Sequence, residues 1–323
     1  MDPITHAALG AASAQIIFGK YNKHIPWQVG ALAGMAPDLD VFFALNNNPL
    51  SLEYWHRHFT HSLSFIPIGG MIVALVLICF PHFRKHWKIT IGSALIAYAT
   101  HSLLDAITSY GTLLLWPWSN SRISWDIVAI IDPVFTVPLI LGTIYSVIFQ
   151  NSRATAYAFV FCSLFLVFNF VQHQRAIKVV NQYAEANHLN IQLLRIIPKL
   201  ASSTHWRAII KEKKCSTIAD VATPIFASSE VAPNNQVLNL TNTLIPNRLT
   251  SEQKQELALF SWFTEQQVII ANKNPLLLAD GRYTLGVKPI YSLWGIELMP
   301  QNKHAKKIKL PEIKEVCSPD IQY

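Results

Sequence analysis

A chain of 323 residues with 51% hydrophobic and only 14% charged residues, at a mean hydropathy of +0.27, is too apolar for an ordinary soluble globule, and a membrane protein is the first expectation. The net charge of +7 fits contact with anionic lipid. It does not point to nucleic acid, because the Lys-rich stretch from Lys303 to Lys309 reads as a solvated tail.

The opening MDPITHAALG lacks a basic leader region and carries His6 where an apolar core would begin, so this segment is expected to remain in the mature protein. Ile4 to Gly19 and Trp27 to Leu45 read as two short membrane helices, the second apolar until it reaches Asp38 and Asp40. Ser62 to Phe80 is uncharged and long enough to cross a hydrocarbon core. Ile89 to Ile107 is equally apolar except for His101 and Asp105, while Pro133 to Ser152 and Ala154 to Gln172 hold no Asp, Glu, Lys or Arg. The expected fold is therefore mainly α, a polytopic membrane domain of about six helices over residues 1–172. A mixed α/β extramembrane domain over residues 173–323 is expected to follow, because charged residues are sparse up to Gln172 and frequent after it.

In that second region amphipathic helices are expected at Arg175 to Leu200 and Glu252 to Glu265. Strands are expected at His205 to Lys211 and within Arg282 to Met299, and a hairpin turn at Asp280 and Gly281. It shows no metal set, phosphate loop or nucleophile motif, and capping or gating the membrane site is the role expected of it. Cys79 and Cys162 fall in apolar segments, whereas Cys215 and Cys317 could pair if the domain is extracytoplasmic.

The basic loops at Lys20 and Lys23, at Arg84, Lys85 and Lys88, and at Arg153 would all lie on the cytoplasmic side, leaving both termini outside. The loop Ser109 to Trp125, with Trp116, Trp118 and Trp125, would then be an outer interfacial belt. On this reading His6, Asp38, Asp40, His56, His61, His101 and Asp105 all come toward the outer face. Ionisable groups gathered at one membrane depth mark a functional site by default. His101 and Asp105, four apart, stack on one helix face, where a nitrogen and a carboxylate oxygen can share a cation. His56 and His61 converge only if a loop-to-helix junction separates them, with Thr60 as its cap. In PDLD the two carboxylates face apart, which favours Asp38 as ligand while Asp40 orients a ligand or takes a proton. His58 could replace either neighbouring histidine. His24, His82 and His86 sit in basic loops, where headgroup contact explains them.

The blocks MDPITHAALGAA, GALAGMAPDLD, HRHFTHS, HSLLDAITSYGTLLLWPWS and SWDIVAIIDP resemble those of the YdjM-type membrane-bound metal-dependent hydrolase family. Its His and Asp pattern is similar to that of the zinc-dependent phospholipase C and P1 nuclease group. The resemblance implies His6, Asp38, Asp40, His56, His61, His101 and Asp105 at the motif positions, with Arg57, Asp126 and Asp132 accompanying them; His58 stands where a small residue is expected. On these grounds the metal ligands are His6, Asp38, His56, His61, His101 and Asp105, and the catalytic group is Asp40, Arg57, Asp126 and Asp132.

A His and carboxylate site without cysteine suits Zn²⁺, with Mn²⁺ or Fe²⁺ as neighbours, and the set is large enough for one to three ions. Such ions activate water and clamp a phosphoester, and Arg57 either adds a phosphate clamp or snorkels to headgroups. The expected function is hydrolysis of a lipid or lipid-linked phosphoester at the outer leaflet of a bacterial inner membrane, with membrane lipids as partners. The rival is an ion or metal transporter built on the same cluster. A membrane anchor presenting the C-terminal domain leaves the cluster unexplained. A serine hydrolase is weaker still, since Ser62 and Ser102 point away from the adjacent histidines.

Overall fold

Asp2 and Pro3 start the first helix. The Asp2 carboxylate accepts from the Thr5 backbone N–H, and Pro3 fills a first-turn position where no backbone donor is needed. The computed structural model describes residues 1–44, 48–246, 249–286 and 289–317. Its helices are α1 (Pro3–Phe18), α2 (Ile25–Met35), α3 (Ser51–Trp55), α4 (Ile66–Ile78), α5 (Pro81–Arg84), α6 (Trp87–Ile107), α7 (Pro133–Phe149), α8 (Arg153–Ala186) and α9 (Ser251–Phe263). Tighter 3-10 turns cover Ala36–Ala44, Phe59–His61 and Leu63–Phe65. The chain divides into two compact units. The first holds Met1–Ala44, Trp55–Gln172 and Pro198–Ser203; the second holds His173–Ile197, the chain from Thr204 onward and the short segment that carries Leu50.

Backbone contact organises the first unit. A Cβ at Gly30 would lie 2.3 Å from the Gly10 carbonyl oxygen, and one at Gly34 would lie 2.5 Å from that of His6, so α1 and α2 meet at separations only glycine permits. Helix α6 closes on them, with Ala94 and Ala97 buried against Ile25, Val29 and Ala33. A second cluster joins Leu9 and Ala12 of α1 to Leu104, Phe135, Leu139 and Cys162. The outer faces of α4, α7 and α8 expose Ile72, Leu75, Leu141, Ile148, Val160, Leu164 and Val167, an apolar surface suited to lipid.

The six-helix polytopic domain expected from the sequence is not what forms. Among the described residues α8 is the one helix both long and apolar enough to cross a membrane. The pair Ser51–His61 and Leu63–Ile78 reaches that standard only with its two halves counted together across a 57° bend. The apolar runs are cut short by local chemistry. Helix α2 stops at Met35 and continues as a 3-10 stretch through Pro37; the expected Ser62 start gives way to α4, which opens at Ile66 and Pro67; α7 is a shorter apolar helix of 17 residues. Helix α6 has the length but carries Thr90, Ser93, His101, Ser102 and Asp105 buried along it. The multi-pass orientation derived from the basic loops falls with the six spans. Leu45, the expected end of the second span, lies outside the described residues.

The second unit is rich in sheet. Strands β1 (Leu193–Pro198), β2 (His205–Lys211), β3 (Cys215–Ala222) and β4 (Glu230–Leu238) form one sheet in that order. Ala176 and Val180 of α8 are buried with Ile196, Trp206, Ala208 and Val221 of this sheet. The other strands are β5 (Val268–Asn272), β6 (Leu276–Asp280), β7 (Thr284–Leu285), β8 (Tyr291–Ser292), β9 (Trp294–Leu298) and β10 (Lys306–Lys309). A second sheet runs β10-β9-β6-β5, and β7 pairs with β8. Leu257 and Phe260 of α9 pack on the second sheet with Leu50, Ile270, Leu278 and Ile296, and Cys215 and Cys317 form a disulfide.

Two expectations for this region are corrected. The helix expected over Arg175 to Leu200 ends at Ala186, where His188 takes a left-handed conformation, and β1 follows. Asp280 and Gly281 do not join two strands of one hairpin, since β6 pairs with β5 and β9 and the Asp280 carboxylate holds the Arg282 guanidinium instead. Val287 and Lys288, inside the expected strand region, lie outside the described residues.

Candidate metal centre

Four polar side chains converge beneath the glycine contact of α1 and α2. His101 and Asp105 project from one face of α6, Asp38 comes from the 3-10 stretch after α2, and His61 ends the 3-10 turn Phe59–His61. One ligand atom from each lies within 4.8 Å of all the others. His61 Nε2 stands 2.9 Å from His101 Nε2, 3.4 Å from Asp38 Oδ1 and 3.3 Å from Asp105 Oδ2. His101 Nε2 is 3.6 Å from Asp38 Oδ1 and 3.4 Å from Asp105 Oδ2. A tetrahedral ion with bonds of about 2.0–2.1 Å places its ligand atoms about 3.3–3.4 Å apart; the four His–Asp separations are close to this, and the His61–His101 pair at 2.9 Å is tighter.

Hydrogen bonds behind the four residues fix which atoms point inward. His101 Nδ1 is 2.6 Å from the Gly34 carbonyl, which can only accept, so this nitrogen carries the proton and Nε2 presents a lone pair. His61 Nδ1 faces the Asp40 carboxylate at 3.2 Å, which assigns the same tautomer to His61. Two imidazole lone pairs and two carboxylate oxygens thus face one point, and Asp105 Oδ2 has no hydrogen-bond partner. Acceptors crowded together in a dry interior repel one another unless a cation sits among them. Buried His and Asp donors of this kind fit Zn²⁺, Mn²⁺ or Fe²⁺.

Asp40 is not one of the four. It is buried and accepts from the Arg57 backbone N–H at 2.8 Å, from the Thr60 hydroxyl at 3.0 Å and from His61, while its other oxygen meets His56 Nδ1 at 2.9 Å. Burial pushes the Asp40 carboxyl up, but hydrogen bonds from His56 and His61 hold it below the usual carboxylate range. His56 therefore reaches the centre only through Asp40. The junction expected between His56 and His61 exists, formed by Arg57 in a left-handed conformation (φ 63°). Thr60, expected as a helix cap, serves as a donor to Asp40.

His6 lies behind Asp105. Its Nε2 is 3.0 Å from Asp105 Oδ1, and its ring stacks on His101 with centroids 3.6 Å apart. The same Asp105 oxygen takes the Arg57 guanidinium at 3.1 Å and the Met1 amine. Arg57 also donates to the Thr108 hydroxyl at 3.3 Å and lies over the Tyr110 ring. Asp126 sits on the segment beside the end of α6, where Trp125 and Ile127 donate to Ala106 and Ile107. Asp132 caps α7 by accepting from Val134 N–H at 3.0 Å. His58 packs among the rings of Trp55, Phe59 and Trp116. Sequence reasoning did not assign Gly34, Thr108 or Tyr110 a part here, because neutral residues carry no charge signal; the small-residue run GALAG, which holds Gly30 and Gly34, is the signal that could have pointed to the close helix contact.

The model of the YdjM inner membrane protein family matches residues 1–176, more than half of the chain. The chain belongs to this family. The YdjM match takes in every residue of the centre and of its surroundings named above. Inner membrane protein YbcI of Escherichia coli (strain K12) is 33% identical to this chain over 138 residues, covering 39% of this chain and 75% of YbcI. No solved structure matches. Membership makes this YdjM chain an inner membrane protein, which accords with the apolar faces of its first unit.

Proposed function

We propose that this protein is a membrane-bound, metal-dependent hydrolase that cleaves a phosphoester of a lipid or lipid-linked substrate. The observation that carries the reading is the inward-facing set of Asp38, His61, His101 and Asp105. A divalent ion, most simply Zn²⁺, supplies Lewis acidity toward water and phosphoryl oxygens. The chain's own residues do the rest. Asp40 and the Gly34 carbonyl orient the two histidines, and Arg57 and His6 hold Asp105. Asp38 forms the rim: its side chain is 19% exposed while those of His61, His101 and Asp105 are fully covered. Water or a headgroup phosphoryl oxygen enters past Asp38. In this reading Asp40 is the positioning residue and, with His56 partly exposed beside it, the route by which a proton leaves.

The apolar outer faces of α4, α7 and α8 keep the protein in the bilayer, where a lipid substrate is concentrated. The Cys215–Cys317 disulfide supports a second unit on the oxidising, periplasmic side. The test is turnover of phospholipid and isoprenoid phosphate substrates by metal-loaded protein in vesicles. Hydrolysis is expected, lost in His101→Ala with Asp105→Ala and kept in Asp132→Ala. Metal-loaded protein that releases no phosphate or phosphorylated headgroup from any of these substrates overturns the reading.

A further inference from the structure

Phe226 is 99% exposed and its neighbour Ile225 is 55% exposed. They sit at the tip of the loop between β3 and β4, in the uncharged run TPIFASS. Both ends of this loop are tied to one turn of α8. At its base, Thr223 donates its backbone N–H to Thr204 at 2.8 Å and accepts from the Trp206 indole at 2.9 Å. The Trp206 ring packs on His173 of α8, with centroids 5.2 Å apart, and His173 in turn bonds the Ile196 carbonyl at 2.9 Å. Past the tip, Arg175 of α8 donates to the Ala227 carbonyl at 3.3 Å.

His173 and Arg175 are the first residues of α8 beyond its charge-free stretch, which exposes Tyr157, Val160, Phe161, Leu164, Val167 and Val171. From Arg153 to Gln172 a helix rises about 30 Å, the thickness of a hydrocarbon core. Arg175 is then about 4.5 Å further on, inside an interfacial layer roughly 5–7 Å deep. We propose that the Pro224–Ile225–Phe226 tip is an interfacial anchor that inserts into the phospholipid bilayer at the surface where α8 emerges. The loop backbone at Ala227 is bonded to Arg175, just past the charge-free stretch of α8, and the uncharged sequence of the tip lets its apolar side chains enter the headgroup boundary without burying a charge. The anchor holds the β1–β4 sheet to the membrane surface. The inference rests on α8 crossing the membrane and is independent of the hydrolase reading.

The test uses the full chain in phosphatidylcholine and phosphatidylglycerol vesicles, with Cys79 and Cys162, the two free cysteines, replaced. A nitroxide is placed at Phe226→Cys, at Leu164→Cys on α8, or at Lys213→Cys in the exposed turn at the opposite end of β2 and β3. Accessibility to oxygen relative to a water-soluble nickel chelate is then read by power saturation. At Phe226 this ratio is expected to be severalfold above that at Lys213 and below that at Leu164, with Ile225→Cys behaving in the same way. A Phe226 label as chelate-accessible as Lys213, with Leu164 protected, overturns the anchor. If Leu164 is itself as accessible as Lys213, the span and the anchor are overturned together.

Discussion

Asp40→Asn separates the residues that would hold an ion from those that aim them. The Asp40 carboxylate receives the Arg57 N–H, the Thr60 hydroxyl and His61 Nδ1, and its second oxygen meets His56. Asparagine has one acceptor oxygen, which the three donors on the buried side claim, and its amide then turns toward His56. The fold contact survives, but the negative charge that makes His61 Nε2 a stronger donor to a cation is gone. Second-sphere partners of this kind are worth about 10–100-fold in metal affinity, or roughly 1.4–2.7 kcal/mol. Competition against a chromophoric chelator should therefore show Zn²⁺ binding weakened by that factor in Asp40→Asn. His61→Ala should remove measurable binding, while His56→Ala, which touches only one Asp40 oxygen, should weaken it less than Asp40→Asn. An Asp40→Asn protein that binds as tightly as the parent, while His61→Ala does not bind, would refute the claim that Asp40 orients the ligand histidine.

Gly34→Ala drives a methyl group to 2.5 Å from the His6 carbonyl oxygen and shifts the carbonyl that holds His101. It should lower stability by about 1–3 kcal/mol and weaken metal binding as well, seen as a lower Tm in detergent and a weaker chelator competition. Asp132→Ala removes a helix cap and should cost about 0.5–2 kcal/mol while leaving metal affinity intact; a loss of affinity would return Asp132 to the centre. Protons compete with a cation for the lone pairs of His61 and His101, so affinity should fall as pH drops. A Kd that does not change between pH 5 and pH 8 would exclude histidine ligation. Replacing Cys215 and Cys317 with serine opens a loop of 102 residues and should destabilise the second unit by about 2–5 kcal/mol, read as a lower melting transition.

The local chemistry of the centre is legible in the chain. His101 and Asp105 at a four-residue spacing on an apolar run define one half of the cluster before any fold is known, and the β-type alternation of His205 to Lys211 is where β2 runs. Helix extent is not legible, because hydropathy counts apolar residues without the junctions inside them. Pro37 and Pro67 mark junctions inside runs that composition alone would continue. The distinction between ligand and support is also hidden. His6 and His56 have the same chemistry as His61, and only their distance from the common point, one Asp away in each case, sets them apart. Leu50 is fully buried with α9 and the second sheet, a long-range contact that no local pattern announces.

Elemental analysis of purified protein addresses the central claim most directly. The protein should carry Zn, Mn or Fe in stoichiometric amount, as purified or after reconstitution, and a folded His101→Ala, Asp105→Ala variant should carry none. Protein that stays metal-free after reconstitution, or a double variant that binds as much metal as the parent, would contradict a metal centre at Asp38, His61, His101 and Asp105.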